Sequence, residues 1–168
     1  MLNGPPGVGK SAVLAELRGL HDGTVAITGD ALRVFAPPNA RAHLGGGATF
    51  KVAGALAARY LELGAPRVVF EYVFLRPAHF RDFGEALPAH VALQIFTLWA
   101  PLEPLLAREE ARPERERVTV GVADSWHEMR RNVTAMGQII DVEALSPGSI
   151  AARIHEFATQ AAELSVSR

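Results

Sequence analysis

The sequence predicts one three-layer α/β domain built on a parallel sheet, and three observations support this fold class. Apolar strand patterns alternate with helical patterns along the 168 residues. The strand patterns are continuously apolar, which is typical of parallel strands covered on both faces. Residues 4–11 match the phosphate-binding loop pattern G-x-x-x-x-G-K-[ST] in full, and an amphipathic helix pattern follows them. The sequence therefore predicts a phosphate site at the edge of such a sheet.

The first half of the chain begins with a very short apolar segment. Residues 1–3 leave room for only the last part of a first strand, so either that strand is truncated or the natural start lies upstream. Apolar spacing and Gly19 predict a helix over 10–19, and a β-type run predicts a strand over 24–28. A brief helix over 31–35 is stopped by two prolines, and residues 39–47 read as a loop with three consecutive glycines. A longer helix is expected over 49–63.

The second half repeats the alternation. Strands are predicted at 68–74, 90–99 and 138–142, and helices at 77–87, 101–111 and 124–134. Ser146 is a favoured N-cap and Pro147 suits the first helical position, so a closing helix is expected over 147–164. The whole chain, 1–168, is predicted to form a single domain with a lid at about 101–123.

The phosphate-binding loop pattern indicates specific chemistry. Glycines let the backbone curve so that successive N–H groups face phosphate oxygens, and the helix N-terminus that follows adds free donors. Lys10 is expected to reach the β- and γ-phosphates, and the Ser11 hydroxyl to ligate Mg²⁺. The residues predicted to bind ATP are Gly4, Pro5, Pro6, Gly7, Val8, Gly9, Lys10, Ser11 and Ala12.

Two carboxylates fall where a parallel sheet places its functional groups, at the carboxyl ends of strands. Asp30 follows the second strand and is read as a general base or a clamp on an acceptor hydroxyl; its structural alternative is an N-cap for the helix over 31–35. Glu71 interrupts an apolar run and needs a partner, because burying a lone charge is costly. That partner is Mg²⁺-bound water, a substrate hydroxyl, or an arginine such as Arg67 or Arg76.

Arginines supply the remaining candidates. The segment 108–117 is rich in Arg and Glu and contains Pro113, which breaks a helix. We read it as a lid that closes over phosphates and supplies charge, with Arg108 and Arg112 as its catalytic candidates; the alternative is a solvated helix face with pairs such as Arg112–Glu116. Asp30, Arg33, Glu71 and Arg76 are predicted to bind the substrate. The acceptor pocket is expected to be formed by residues 31–50 and 72–83. Their mixed apolar character suits a partly apolar ligand as well as a sugar, with apolar side chains at Leu32, Phe35, Phe50, Phe74 and Phe80.

Composition excludes several classes. The net charge of −1 argues against an extensive nucleic-acid groove, and the absence of cysteine excludes disulfides and thiolate metal sites. The six histidines show no metal-ligand spacing. No apolar run reaches the length of a membrane span and no signal-peptide pattern is present, so a cytoplasmic protein is expected. The sequence does not indicate an oligomeric state.

Taken together, the loop at 4–11, the Gly29-Asp30-Ala31-Leu32-Arg33 segment, the acidic third strand and the arginine-rich segment resemble the small P-loop kinases of metabolites and antibiotics. The nearest resemblance is to chloramphenicol phosphotransferase-like proteins, within the group that includes gluconate, shikimate and adenylate kinases. It implies strand order 2-3-1-4-5, an Asp30 that contacts or deprotonates the acceptor, and adenine near Ser146-Pro147. Glu71 departs from the aspartate of many relatives.

The function expected is therefore ATP- and Mg²⁺-dependent phosphorylation of a hydroxyl on a small molecule, such as a metabolite, nucleoside or antibiotic. One alternative is a regulatory NTPase that acts through a protein partner, although no Asn-Lys-x-Asp guanine-reading motif is present. Others are a kinase of nucleic-acid 5′-hydroxyls and a nucleotide binder that has lost activity.

Overall fold

Five parallel strands form one sheet in the order β2-β3-β1-β4-β5, as predicted. The computed structural model describes residues 1–45, 47–113 and 121–166, and side chains as far as residue 160. The strands are β1 (Leu2–Asn3), β2 (Thr24–Thr28), β3 (Arg67–Glu71), β4 (Phe96–Trp99) and β5 (Gln138–Asp141). The described helices are α1 (Lys10–Leu20), α2 (Gly29–Phe35), α3 (Pro38–Arg41), α4 (Ala48–Glu62), α5 (Pro77–Gly84), α6 (Leu102–Glu110), α7 (Val122–Arg131) and α8 (Pro147–Val166).

Helices cover both faces of the sheet and bury two apolar clusters. One cluster joins Val13 and Leu17 of α1 and Ile150 of α8 to strand residues such as Leu98. The other joins helices α4 and α5 to Phe70 of β3 on the opposite face. This double coverage explains why the strand sequences are apolar throughout rather than alternating.

The two-residue strand β1 lies at the centre of the sheet and is held there by a buried side chain. Leu2 pairs with both Glu71 and Phe96. The Asn3 side chain is fully buried; its amide nitrogen donates to the Phe74 carbonyl and the Thr97 hydroxyl at 3.3 and 3.1 Å, and its oxygen accepts from the Phe74 N–H at 2.8 Å. Asn3 therefore joins the segment after β3 to β4, immediately before the loop that follows β1.

Several element boundaries differ from the sequence predictions. The strand predicted over 68–74 ends at Glu71, and the one predicted over 90–99 begins only at Phe96. Phe74 is nevertheless fully buried, so its apolar character reflects core packing rather than strand pairing. The loop predicted over 39–47 contains the short helix α3, and Gly46 lies outside the described residues.

The closing helix α8 begins as predicted. The Ser146 hydroxyl accepts a hydrogen bond from the Ser149 N–H at 3.1 Å, and Pro147 occupies the first helical position. Within the described ranges, every helix is too short or too polar to traverse a bilayer.

Candidate functional site

The phosphate-binding loop connects β1 to α1 at the carboxyl edge of the sheet. Gly7 and Gly9 have φ angles of 80° and 100°, which residues that carry a Cβ rarely adopt. The first N–H groups of α1 have no intrahelical acceptor and lie at the positive end of the helix dipole. The local sequence thus folds into a ready anion site.

Lys10 is buried against its own loop. Its Nζ donates to the carbonyl oxygens of Gly4 and Pro5 at 2.9 and 3.2 Å. Burial lowers the pKa of Lys10 to about 8, and the nearby Glu71 and Asp30 carboxylates partly oppose that shift. Lys10 is therefore a cation that is largely removed from water. Its attraction for a bound phosphate is stronger there than it would be in bulk solvent.

Glu71 is the last residue of β3, between Leu2 of β1 and Thr28 of β2 in the sheet register. Burial raises the pKa of Glu71, whereas Lys10 and a hydrogen bond with the Ser11 side chain oppose that rise. One carboxylate oxygen, Oε2, is buried and has no hydrogen-bond partner. A hydroxyl and a carboxylate with a spare buried oxygen form an oxygen donor set that suits Mg²⁺.

Neither arginine proposed as a structural partner reaches Glu71 in the described ion pairs. Arg67 begins β3, at the other end of the strand. The Arg76 Nε instead lies 2.7 Å from the Glu128 carboxylate, which Arg131 also contacts. Arg76, predicted to bind substrate, is consequently drawn toward α7, and it is not among the residues that line the cleft.

Asp30 lies in the first turn of α2, two residues after β2 ends. The alternative interpretation of Asp30 as an N-cap is wrong: Thr28 occupies that position, and its hydroxyl accepts from the Ala31 N–H at 3.3 Å. The Asp30 side chain is 79% exposed, and a carboxylate oxygen is 3.9 Å from Nη1 of Arg33. Asp30 and Arg33 are thus presented to the cleft rather than used to cap the helix.

Helix α6 brings the arginine-rich segment to the loop. Leu105 is fully buried beside Gly7, and Nη1 of Arg108 donates to the Gly7 carbonyl at 3.3 Å. Arg112 lies 3.3 Å from Glu109 and also lines the cleft. The helix ends at Glu110, before Pro113, whereas Arg115, Glu116 and Arg117 lie outside the described residues. The lid assigned to 101–123 stays a prediction.

A cleft of about 900 Å³ unites these groups. Its phosphate-loop end is lined by Lys10, Ser11, Glu71 and Arg112, and Asp30 and Arg33 also line the cleft. Six functional side chains chosen from the sequence, at 10, 11, 30, 33, 71 and 112, therefore share one cavity although 102 positions separate the first from the last. Topology explains this convergence, since parallel strands end at one edge of a sheet.

The acceptor half of the cleft differs in part from the expectation. Leu32, Phe35 and Phe50 line it as predicted, but Phe74 and Phe80 are buried in the core, where their rings stack at 4.8 Å. Arg41, Leu44, Tyr72 and His79 also line the cleft, and they lie within the segments 31–50 and 72–83 from which the pocket was predicted. Val52 of α4 lies outside those segments and was not predicted.

Comparison with known proteins agrees with this geometry. The model of a family described as an AAA domain matches residues 1–136. The tunicamycin resistance protein of Deinococcus radiodurans has a similar structure, with TM-score 0.67 and 18% identity over 94% of this chain and 93% of that one. An unliganded sugar kinase from Janibacter sp. HTCC2649 gives TM-score 0.65 and 15% identity over 91% and 89%.

No curated protein matches the chain. At these identities, likeness to the two structures establishes the fold, and together with the loop it supports a nucleotide-binding phosphotransferase in general. The chain belongs to the AAA-domain family defined by the matching model, and its fold is consistent with a small P-loop kinase of the chloramphenicol phosphotransferase-like group.

Proposed function

We propose that the protein is an ATP-dependent phosphotransferase that moves the γ-phosphoryl group to a hydroxyl of a small molecule. The observation that carries this proposal is that residues of the phosphate-binding loop and an exposed carboxylate, Asp30, line the same cleft. A cleft that only hydrolysed nucleotide would need no acceptor half, whereas this one extends past Asp30 to Leu44 and His79.

The donor half binds the nucleotide through the loop. The non-proline residues of the loop offer backbone N–H groups to the phosphates, and Lys10 exchanges its carbonyl partners at Gly4 and Pro5 for phosphate oxygens. Ser11 and Glu71 are the residues that would hold Mg²⁺, Glu71 directly or through water. Mg²⁺ when bound neutralises charge on the β- and γ-phosphates.

The acceptor half orients the nucleophile. Asp30 accepts a hydrogen bond from the acceptor hydroxyl and takes its proton as the oxygen attacks the γ-phosphorus. Arg33, 3.9 Å from Asp30, keeps this carboxylate in place and contacts the substrate. The bond from the γ-phosphorus to the bridging oxygen breaks, and ADP leaves with the electron pair.

Arg108 and Arg112 complete the site from α6. Arg108 already contacts the loop carbonyl at Gly7, and Arg112 lines the cleft close enough to Lys10 to lower its pKa. Positive charge at this position stabilises the transferring phosphoryl group, as arginines do in related chemistry. The substrate-binding role predicted for Arg76 requires that it leave Glu128.

The test is phosphoryl transfer from γ-labelled ATP to a panel of sugars, nucleosides and hydroxyl-bearing antibiotics with Mg²⁺ present. We expect label on an acceptor and ADP in equal amount. ADP formation without a labelled acceptor would instead support the regulatory NTPase, and label on a 5′-hydroxyl oligonucleotide would support the nucleic-acid kinase. Bound ATP that stays intact with every acceptor contradicts catalysis altogether.

A further inference from the structure

Three large apolar side chains are exposed at the mouth of the cleft. Phe35 of α2 is 85% exposed, Leu44 after α3 is 49% exposed and Val52 of α4 is 55% exposed, and all three line the cavity. We call them the apolar rim. Single exposed apolar residues are ordinary, but three from separate segments around one concave opening mark a surface that a ligand covers.

The floor of the same half is aromatic. Phe50 stacks on His79 with ring centroids 4.2 Å apart and planes 16° apart, and Tyr72 lies 5.8 Å from Phe50. Burial lowers the pKa of His79, and its Nδ1 accepts from the Leu75 N–H at 3.2 Å. The floor is therefore uncharged at neutral pH, although His79 and Tyr72 carry polar atoms at their ring edges.

The same half also offers hydrogen-bonding groups. Its hydrogen-bonding side chains among the described lining residues are Asp30, Arg33, Arg41, Thr49, Tyr72 and His79. A polar head that carries the reacting hydroxyl can therefore be hydrogen-bonded, whereas the apolar rim contributes only through burial of apolar surface. An acceptor with a polar head and an apolar body matches both parts of the lining.

We propose that the acceptor is an amphipathic alcohol. Its hydroxyl lies at Asp30, and an aromatic or alkyl body lies between the apolar rim and the ring floor. This inference rests on the proposed function, because it assumes that Asp30 marks the reacting hydroxyl. It narrows the substrate class from any small hydroxyl compound to one whose binding is driven by burial of apolar surface.

Three glucosides that share a head group and differ in their apolar body test the class. Calorimetry of the whole protein with Mg²⁺ and a non-hydrolysable ATP analogue would compare methyl, phenyl and hexyl glucoside. We expect phenyl and hexyl glucoside to bind at least about tenfold more tightly than methyl glucoside, because only they reach the rim. Equal affinity for all three would overturn the proposal.

Rim variants locate the effect. Phe35→Ser and Val52→Ser change exposed side chains, so the fold is expected to tolerate them. Each should weaken binding of phenyl and hexyl glucoside about fivefold or more and weaken methyl glucoside by a clearly smaller factor. Val34→Ser and Leu63→Ser are matched controls, since these side chains are 78% and 69% exposed but do not line the cleft. Equal losses in the control variants would contradict a specific rim.

Two further outcomes separate the rival explanations. If Phe35→Ser converts a dimer to a monomer in light scattering and leaves every glucoside affinity unchanged, the rim joins two copies of the chain and the proposal fails. If γ-labelled ATP phosphorylates polyols and amphipathic alcohols equally well, the kinase function stands and only the substrate class fails. Rim-dependent binding without transfer to any alcohol would leave the binding surface correct and contradict the proposed function.

Discussion

Lys10 carries a charge that its surroundings disfavour, and this makes nucleotide binding sensitive to pH. Its pKa, lowered to about 8 by burial, means that the free protein loses this proton as the pH rises through that value. Phosphate binding requires the cation, so ATP affinity should fall from about pH 7 to about pH 9, where the phosphates themselves no longer titrate. Calorimetry across this range measures the slope.

Lys10→Arg is the control for that slope. A guanidinium stays protonated throughout the range, so the variant should bind ATP more weakly than wild type but with an affinity that barely changes with pH. A wild-type affinity that is flat between these pH values, or a variant that keeps the wild-type slope, would show that Lys10 is not the titrating group.

Gly29 has no side chain, and this leaves room for the Tyr72 ring in the lining of the cleft. A Cβ at this position would lie 2.1 Å from Cδ2 of Tyr72, well inside van der Waals contact. Gly29→Ala must therefore displace the Tyr72 ring, at a cost of about 1–3 kcal/mol in stability. We expect weaker phenyl glucoside binding with unchanged ATP affinity, measured by calorimetry; equal loss of both ligands would mean that the substitution disturbs the whole sheet edge.

Residue-level prediction from sequence worked where chemistry restricts residue choice. Lys10 and Ser11 are specified by the loop pattern, and Glu71 was conspicuous because a lone carboxylate interrupts an apolar run. Asn3 gave no comparable signal. The role of Asn3 depends on Phe74 and Thr97, which are 71 and 94 positions away, and no local pattern encodes such partners.

At the scale of elements, α4 and α5 pack so closely that one helix needs a glycine. A Cβ on Gly54 would lie 2.0 Å from the Phe83 carbonyl oxygen, a backbone atom that cannot swing aside. Gly54→Ala should therefore destabilise the protein by about 1–3 kcal/mol in denaturant unfolding.

Gly19→Ala is the matched substitution in a helix without such a neighbour. A Cβ at this position of α1 would point into open space, with no neighbouring atom within 4 Å. Alanine should therefore stabilise the protein by about 0.5–1 kcal/mol through helix propensity. Equal effects of the two substitutions would contradict the close approach of α4 and α5.

Element boundaries were predictable only where the chain itself signals them. Ser146-Pro147 marked the start of α8, and the end of α6 before Pro113 follows from proline stereochemistry. The apolar runs over 68–74 and 90–99 overstated β3 and β4, because an apolar residue such as Phe74 can fill the core from a loop. Strand length depends on neighbouring strands, which a single run does not reveal.

At the scale of the molecule, the alternation of elements predicted a parallel sheet, and the family resemblance alone implied its strand order. The acceptor pocket was predicted only as the segments 31–50 and 72–83, and its lining comes from α2, α4, α5 and the segment after β3. Their relative positions depend on packing between distant segments. Eight consecutive residues therefore predicted the phosphate-binding loop, whereas for the rest of the cleft the sequence predicted which segments contribute but not which of their side chains line it.

Ligand binding should raise the free energy of unfolding of the whole molecule. The part of that increase that depends on Mg²⁺ should require Glu71. ATP with Mg²⁺ at about a hundred times its Kd is expected to add about 2.7 kcal/mol to the free energy of unfolding. Glu71→Gln removes a buried carboxylate whose Oε2 lacks a partner, and with it a negative charge that favours the Lys10 cation, so the variant without ligand is its own reference. Thermal unfolding with ATP alone and with ATP plus Mg²⁺ should show a magnesium increment in wild type and little in the variant.

A full magnesium increment in Glu71→Gln would contradict the proposed metal site. Ser11→Ala is a second variant for the same test, because it removes the hydroxyl that hydrogen-bonds to Glu71. It should reduce the gain in thermal stability that Mg²⁺ adds to the ATP complex, and it should leave binding of metal-free ATP largely intact.

Asp30→Asn is the substitution that tests the central claim most directly, because it keeps the size of an exposed side chain and removes its ability to accept a proton. Turnover of a labelled acceptor and ATP affinity would be measured on the same preparation of each protein. A general base at this position predicts a loss of about 100- to 10,000-fold in kcat, with ATP affinity within about twofold of wild type. Unchanged turnover, or a loss of turnover matched by an equal loss of ATP affinity, would contradict the assignment of Asp30 to the acceptor hydroxyl.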